Sequence, residues 1–255
     1  MKVKPPKTYE EQVALIEKKG FAVTDREACI AFLREAKYYR LPAYCLSFRE
    51  AGGTSIQGVP FQQIQRIYEF GSQMRILLLQ AIERIELYVR AQLAYYLGHH
   101  YGALGYLNDA VFSSKHNSEK FHEVLKRPLK ENEQTSVVIH RQGKYNGPFP
   151  MCVKSWLRCV SEPRNRCAHY AGIYYWTFPD TPKTPKNFLR KKQTGRKLFF
   201  QRLVLKYLYP DKKEWTSKVF TNIEALVNMY LSAISLERIG FPDNWKTILS
   251  VSSNG

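Results

Sequence analysis

The stretch from Phe61 to about Leu97 constrains the fold more than any other part of the chain. Its apolar residues recur every three or four positions, which is the period of one face of an α-helix. At about 1.5 Å per residue the helix would be roughly 50 Å long, and other helices must cover its apolar face. Gly71 is the one weak point in the pattern. The sequence therefore predicts an all-α fold, a helical bundle with one long central helix and additional N- and C-terminal helices.

Shorter segments on both sides of the long helix also have helical patterns. Thr8 with Glu11, and Thr24 with Glu27, have the spacing of capping boxes and predict two helix starts. Further helices are predicted for 118–139, 151–160, 195–208 and 214–239, with "GFPDNW" as a terminal turn. We expect one helical domain over 1–255, with N-terminal helices in 8–50, a core in 60–176 and a basic helical region in 183–250.

The charge of the chain predicts an anionic partner. The formal net charge is +17 over 255 residues, so the surface attracts polyanions, with nucleic acid ahead of an anionic membrane surface. A hydrophobic content of 44% indicates a folded globule and not a basic tail.

The cysteines and the N-terminus predict where the protein works. The five cysteines contain no CxxC pair, which favours a reducing cytoplasm without disulfides or a zinc site. The N-terminus has no apolar core of a secretory signal, and no apolar tract is long enough to span a bilayer. We expect a soluble cytoplasmic protein with no membrane contact.

The segment "SEPRNRCAHYAGIYYW" (161–176) contains an RxxxxH pattern formed by Arg164 and His169. Histidine can transfer the proton of a ribose 2′-hydroxyl or of a leaving 5′-oxygen, and arginine can stabilise the developing charge on a phosphate. These two groups are sufficient for RNA cleavage without a metal. On spacing alone the pattern is weak, and a surface arginine beside a partly buried histidine is the default interpretation.

Pro163 suits the first turn of a helix, so we expect Arg164 near a helix start and His169 about one and a half turns later. Five helical residues rotate by about 500°, which places the two side chains on different faces. A site that uses both therefore needs an adjusted backbone or a second copy of the motif, and we expect a homodimer.

Glu83, Glu86 and Arg90 form a polar ridge on the long helix. The ridge is either a solvated Glu86–Arg90 pair, or it turns Glu83 or Glu86 toward Arg164 and orients its guanidinium.

Basic residues are concentrated in the last third of the chain, where we expect contacts with RNA phosphates. Arg166 belongs to the same predicted set. The candidates in this region are Lys183, Lys186, Arg190, Lys191, Lys192, Arg196, Lys197, Arg202 and Lys206. The histidines lack metal-ligand spacing and no nucleotide-binding loop occurs, so we expect neither metal nor cofactor.

Several segments together resemble the bacterial abortive-infection proteins of the AbiD/AbiF type, which belong to the HEPN superfamily. They are "KYYRLPAYCLSF", "FQQIQRIYEFGSQMRILLLQAIERIELYVRAQLAYYL", "WLRCVSEPRNRCAHYAGIYYW" and "GFPDNWKTIL". The resemblance implies a HEPN-like helical bundle that dimerises and cleaves RNA without metal, with Arg164 and His169 as catalytic residues and Asn165 in support. It also implies a role in phage defence and a structured noncoding RNA or a tRNA-like substrate as partner. In the family a further helix separates the segments that here join directly at 148–158.

Two functions follow from these observations. One is a metal-independent endoribonuclease of phage defence, restrained by a noncoding RNA. The other is a HEPN-like module that holds a noncoding RNA without cleaving it. A DNA-binding regulator is disfavoured because no helix-turn-helix is recognisable.

Overall fold

The chain is almost entirely helical wherever the computed structural model describes it, which is in residues 5–36, 38–48, 56–105, 108–111, 117, 119, 152–179 and 195–250. The predicted all-α fold is confirmed, together with its single long helix and its N- and C-terminal helices. The α-helices in these residues are α1 (Tyr9–Lys18), α2 (Arg26–Glu35), α3 (Pro42–Cys45), α4 (Phe61–Tyr101), α5 (Cys152–Ala168), α6 (Leu198–Leu208), α7 (Lys212–Glu214), α8 (Thr221–Tyr230) and α9 (Trp245–Leu249).

The chain divides into two compact units. The first unit consists of residues 1–83 and 152–255, and the second of residues 84–151. The helix predicted for 118–139 falls in the second unit and outside the described residues. Within the part of the chain that the structure describes, no helix is both long enough and apolar enough to cross a membrane.

In the first unit, α4 supplies the central apolar stripe. Gly71 does not interrupt the helix, which continues to Tyr101. The buried positions recur at intervals of three and four residues, as the periodicity predicts: Phe61, Ile64, Ile67, Phe70, Met74 and Leu78.

Two N-terminal helices begin at capped positions of different kinds. Thr8 forms the predicted capping box, because its hydroxyl accepts from the Glu11 amide and the Glu11 carboxylate accepts from the Thr8 amide. The box predicted at Thr24 is wrong. Asp25 is the N-cap of α2, and its carboxylate accepts from the Ala28 amide at 2.9 Å. The hydroxyl of Thr24 instead accepts a hydrogen bond from the side chain of Gln62.

Asp25 and Thr24 allow a matched test of this assignment. Asp25→Ala should lower the free energy of unfolding by about 1 kcal/mol, because an N-cap side chain satisfies a helix amide that is otherwise unpaired. Thr24→Ala should have a smaller effect, since its hydrogen bond is exposed. Urea denaturation of the two variants measures both values. A larger loss for Thr24→Ala would restore Thr24 as the cap.

Between these helices and α4 the chain forms a parallel pair of two-residue strands, β1 (Phe21–Ala22) and β2 (Val59–Pro60). Gly20, with φ of +94°, turns the chain from α1 into β1, and its carbonyl accepts from the Gly58 amide at 2.8 Å. The pair fixes the start of α4 beside the end of α1.

Of the two predicted C-terminal helices, the one over 195–208 ends at Leu208 as expected, and the following one ends earlier than predicted. The expected helix over 214–239 is in fact α7, a π-helical segment (Trp215–Phe220) and α8, which stops at Tyr230. One cause is tertiary: the Ser235 amide donates to the Tyr174 hydroxyl at 2.6 Å and not to a helical carbonyl. The fully buried Trp215 donates its indole N–H to the Leu249 carbonyl at 2.8 Å, which holds α9 against this region.

Candidate active site

Helix α5 contains the RxxxxH segment at its C-terminal end. The sequence predicted one short helix over 151–160 and a new helix starting at Pro163, but the structure shows a single helix with Pro163 inside it. Proline removes one hydrogen bond from the ladder, yet its buried ring packs inward and the helix continues. Arg164 therefore lies in the last turns of a helix and not in its first turn.

The two faces of α5 differ in exposure. Val160, Pro163 and Cys167 are buried, and their spacing of three and four residues defines the inward face. Arg164, Asn165 and His169 are exposed. The motif residues are thus presented to solvent at the end of a helix that is anchored on its other side.

The helix ends in a Schellman motif that sets the position of His169. The Tyr170 amide donates to the Cys167 carbonyl at 3.1 Å, and the Ala171 amide donates to the Arg166 carbonyl at 2.8 Å. In this arrangement His169 is the C-cap and Tyr170 occupies the left-handed position, with φ of +56°. Glycine is the usual residue there, because a side chain costs about 1–2 kcal/mol in this conformation.

Asn165 connects the arginine with the face of the helix that carries the histidine. The Arg164 guanidinium donates to the Asn165 amide oxygen, with 3.2 Å between Nη1 and Oδ1. Asn165 lies four residues before His169, and the His169 amide donates to its carbonyl at 2.9 Å. Residues four apart share a helix face. The contact therefore draws the guanidinium toward the side of the helix where His169 begins, although ideal geometry separates Arg164 from His169.

Arg166 holds the loop that follows the motif. Its guanidinium donates to the Gly172 carbonyl through Nη2 at 2.7 Å, and its Cζ lies 3.5 Å from the centroid of the Trp176 ring. The Glu162 carboxylate, on the preceding turn of α5, lies 3.8 Å from the Arg166 guanidinium, measured from Oε1 to Nη1. Burial lowers the pKa of Arg166, and Glu162 acts against this shift. These contacts tie the loop to α5, and the predicted contact of Arg166 with RNA stays a prediction.

The same loop is anchored in the core of the first unit. Tyr174 packs edge-to-face on Phe70 of α4 with ring centroids 5.8 Å apart, and Phe70 has a similar contact with Tyr230 of α8. The Phe178 amide and the Arg196 carbonyl are hydrogen-bonded at 2.7 Å. Both ends of the segment after His169 are therefore fixed, which gives the exposed residues a rigid support.

A positively charged cluster lies beneath the motif. Cys167 is buried, and its burial raises the pKa of the thiol to about 11 even though Arg75, Arg202 and Arg166 favour the thiolate. Arg202 of α6 is fully buried, and none of its guanidinium nitrogens has a hydrogen-bond partner. The buried Arg75 of α4 likewise has an unpaired Nη1.

The predicted RNA-contact residues differ in burial and in the contacts that they make within the protein. Arg202 was expected on the surface, and its complete burial corrects that prediction, because a guanidinium inside the core cannot contact a phosphate. Lys206 donates to the carbonyls of Ile248 and Ser250, and burial lowers its pKa. Arg196 and Lys197 donate to the Phe178 carbonyl and the Thr177 hydroxyl. Five others lie outside the described residues: Lys183, Lys186, Arg190, Lys191 and Lys192.

Glu83 and Glu86, the two carboxylates that could orient Arg164, both lie on α4. Glu83 is exposed at the end of the first unit's part of α4. Glu86 belongs to the second unit and lies 3.7 Å from Arg90, as the simpler interpretation of this ridge expected. An orienting role for Glu83 or Glu86 toward Arg164 stays a prediction. Among the residues that the structure describes, no group of three or more histidine, cysteine, aspartate or glutamate side chains could hold a metal ion.

One family model matches part of the chain. Residues 31–153 match the family model of Abi-like proteins. The match spans just under half of the chain, from within α2 to the start of α5, and supports a relationship to that family. Arg164 and His169 lie beyond the matched range. No curated protein and no solved structure matches the chain significantly.

Sequence reasoning missed two features of this site. Tyr170 appeared only as one of several aromatic residues after the motif, since no local pattern marks a tyrosine for the left-handed position. The structural role of Arg166 was also missed. The order Arg166, Gly172 and Trp176 could have indicated a clamp only if the end of α5 had already been known.

Proposed function

We propose that this protein is a cytoplasmic endoribonuclease of abortive infection that cleaves RNA without a metal ion through Arg164 and His169. The observation that carries the proposal is the exposed end of α5, where Arg164 is hydrogen-bonded to Asn165 and His169 caps the helix. An exposed histidine and arginine on a rigid support have the chemistry that such cleavage requires.

In the proposed reaction His169 removes the proton from a ribose 2′-hydroxyl. The 2′-oxygen then forms a bond to the adjacent phosphorus, and the bond from phosphorus to the 5′-oxygen breaks. Arg164 stabilises the charge that develops on the phosphate, while Asn165 holds its guanidinium in place. The leaving 5′-oxygen needs a proton, which a second histidine supplies.

That second histidine is the reason to propose a homodimer. One chain presents a single RxxxxH segment, and base and acid must act on opposite sides of the phosphorus. Two copies of His169, one neutral and one protonated, meet this requirement. The one composite site of the dimer then contains both histidines and two arginines for the phosphate.

The biological assignment rests on the match of residues 31–153 to Abi-like proteins, which supports a function in abortive infection. The finer assignment to the AbiD/AbiF type and to the HEPN superfamily is part of the proposal, supported by the all-α fold with its long helix and by the RxxxxH segment. The net charge of +17 supports RNA as the substrate and a structured noncoding RNA as the restraining partner.

The chemistry of the products tests this proposal. Purified protein incubated with tRNA and total RNA in EDTA should produce fragments with 2′,3′-cyclic phosphate and 5′-hydroxyl ends, because the 2′-oxygen is the nucleophile. A 2′-deoxy substitution at the cleaved position should stop cleavage there. Intact RNA, or fragments with 5′-phosphate ends, would refute the proposed reaction.

The second candidate function is an RNA-binding module without hydrolysis, favoured by the same charge of +17. It predicts tight binding that weakens steeply with salt, no cleavage in EDTA, and binding that Arg164→Ala leaves unchanged. The cleavage assay above separates the two candidates.

A further inference from the structure

Tyr170 combines backbone strain with an exposed aromatic ring. It is the only residue other than glycine with a positive φ among the residues that the structure describes. The residue is 68% exposed, so burial of the ring does not compensate for the left-handed backbone. Glycine at this position would close the same Schellman motif without the strain. Folding alone therefore gives no reason for a tyrosine here.

Its location points to a ligand. Tyr170 directly follows His169, and the hydrogen bonds of the Tyr170 and Ala171 amides to α5 fix its backbone. The adjoining Arg166–Trp176 stack and the buried Tyr174 hold the rest of the loop in place. The Tyr170 ring is thus held next to the proposed general base before a ligand binds. Binding therefore costs little further conformational entropy of the backbone.

We propose that Tyr170 is a stacking platform for an unpaired RNA base next to the cleaved phosphate. The inference rests on the proposed function and specifies its substrate class as single-stranded RNA. Every base has a π-face that an exposed aromatic ring can stack on, whereas paired bases in a helix are covered by their neighbours. The platform selects loops and single-stranded segments without reading their sequence.

The test compares binding and stability in the same set of full-length variants. The probe is an unstructured 2′-O-methyl RNA of about 12 nucleotides, within the size range of single-strand sites, which cannot be cleaved because its 2′-oxygen is blocked. Tyr170→Gly should bind it roughly 5- to 150-fold more weakly, which corresponds to the loss of one stacked base. Tyr170→Phe keeps the ring and should bind like the parent protein.

Thermal denaturation distinguishes a role of Tyr170 in RNA binding from a role in stability. Tyr170→Gly should unfold at the same temperature as the parent or higher, because glycine relieves the strained backbone. Tyr9, an exposed tyrosine on α1, provides the surface control, and Tyr9→Ala should leave RNA affinity unchanged. A 2′-O-methyl duplex of the same length should bind parent and Tyr170→Gly equally.

Equal affinity of Tyr170→Gly and Tyr170→Phe for the single strand would overturn the inference, as would a comparable loss for the duplex. A lower unfolding temperature for Tyr170→Gly would assign the residue to stability instead. Failure of the proposed function is distinguishable: if the parent protein does not cleave RNA but Tyr170→Gly loses single-strand affinity, the platform stands and the nuclease does not.

Discussion

Replacing His169 with alanine should lower the rate of RNA cleavage in EDTA by about two to four orders of magnitude, the usual contribution of a general acid or base. In the proposed dimer the composite site loses both its base and its acid, so the effect should be at the upper end. Fold stability should change little. The side chain is exposed, and the capping hydrogen bond to the Asn165 carbonyl comes from the backbone amide of residue 169, which alanine retains.

The matched control is His100→Ala. His100 is another exposed histidine, lying on α4 in the second unit, and its replacement should leave cleavage unchanged. Arg164→Ala should reduce the rate about 10²- to 10³-fold, as for the loss of one group that stabilises transition-state charge. Single-turnover assays on one fluorescent RNA measure all three variants. Cleavage by His169→Ala at the parental rate would show that any activity comes from a contaminant or from another site.

The sequence predicted the parts of the fold that depend on a long, regular pattern. The spacing from Phe61 to Leu97 was sufficient for α4, because about ten turns of apolar periodicity have no alternative as a strand or loop. The Thr8 capping box was likewise predictable, since its hydrogen bonds are local. In both cases the deciding interactions lie within the segment itself.

Predictions failed where a contact from elsewhere in the chain decided the local structure. Pro163 normally starts a helix, but burial of its face together with Val160 and Cys167 keeps α5 continuous through it. The expected C-terminal helix ends at Tyr230, and the Ser235 amide bonds to Tyr174, which is 61 residues away. Neither contact leaves a signal in the neighbouring residues.

The sequence named the residues of the candidate site but did not predict their geometry, and their catalytic roles stay predictions. Arg164 and His169 were predicted from the RxxxxH spacing and Asn165 from the family resemblance, whereas their location at the end of a helix, with His169 as C-cap, required the structure. Counting basic residues did not separate surface from core, because the count treats Arg196, which is exposed, and Arg202, which lies in the buried part of α6, alike. A charge pattern predicts the class of partner and does not predict which side chains touch it.

Arg202→Met should raise the free energy of unfolding by about 1–4 kcal/mol, the range seen when buried charged groups are replaced by apolar ones of similar volume. Arg202 is fully buried, and its Nε, Nη1 and Nη2 have no hydrogen-bond partner. The Phe241 ring, 5.4 Å from its Cζ, offers a cation–π contact that does not replace the lost hydration. Methionine has a similar unbranched stem and adapts to the available space.

The pH dependence of this effect has a definite sign. Burial lowers the pKa of Arg202 to about 9, so the guanidinium is still charged at neutral pH. The free energy of the folded state therefore includes the cost of removing this charge from water. Above pH 9 the unfolded chain, in which the arginine keeps its ordinary, higher pKa, binds more protons than the folded one. The parent protein therefore gains stability as pH rises, and the advantage of Arg202→Met should shrink between pH 7 and pH 10.

Urea denaturation at both pH values measures this difference, with Arg34→Met as the matched control. Arg34 is exposed on α2, so its replacement should change the free energy of unfolding by less than about 0.5 kcal/mol. Arg202→Met should also leave RNA affinity unchanged, because a buried side chain does not contact a phosphate. A loss of stability in Arg202→Met, or an advantage that grows with pH, would mean that the charge is compensated in the folded protein. The cluster of Arg75, Cys167 and Arg202 would then stabilise the C-terminal end of α5 in the folded protein.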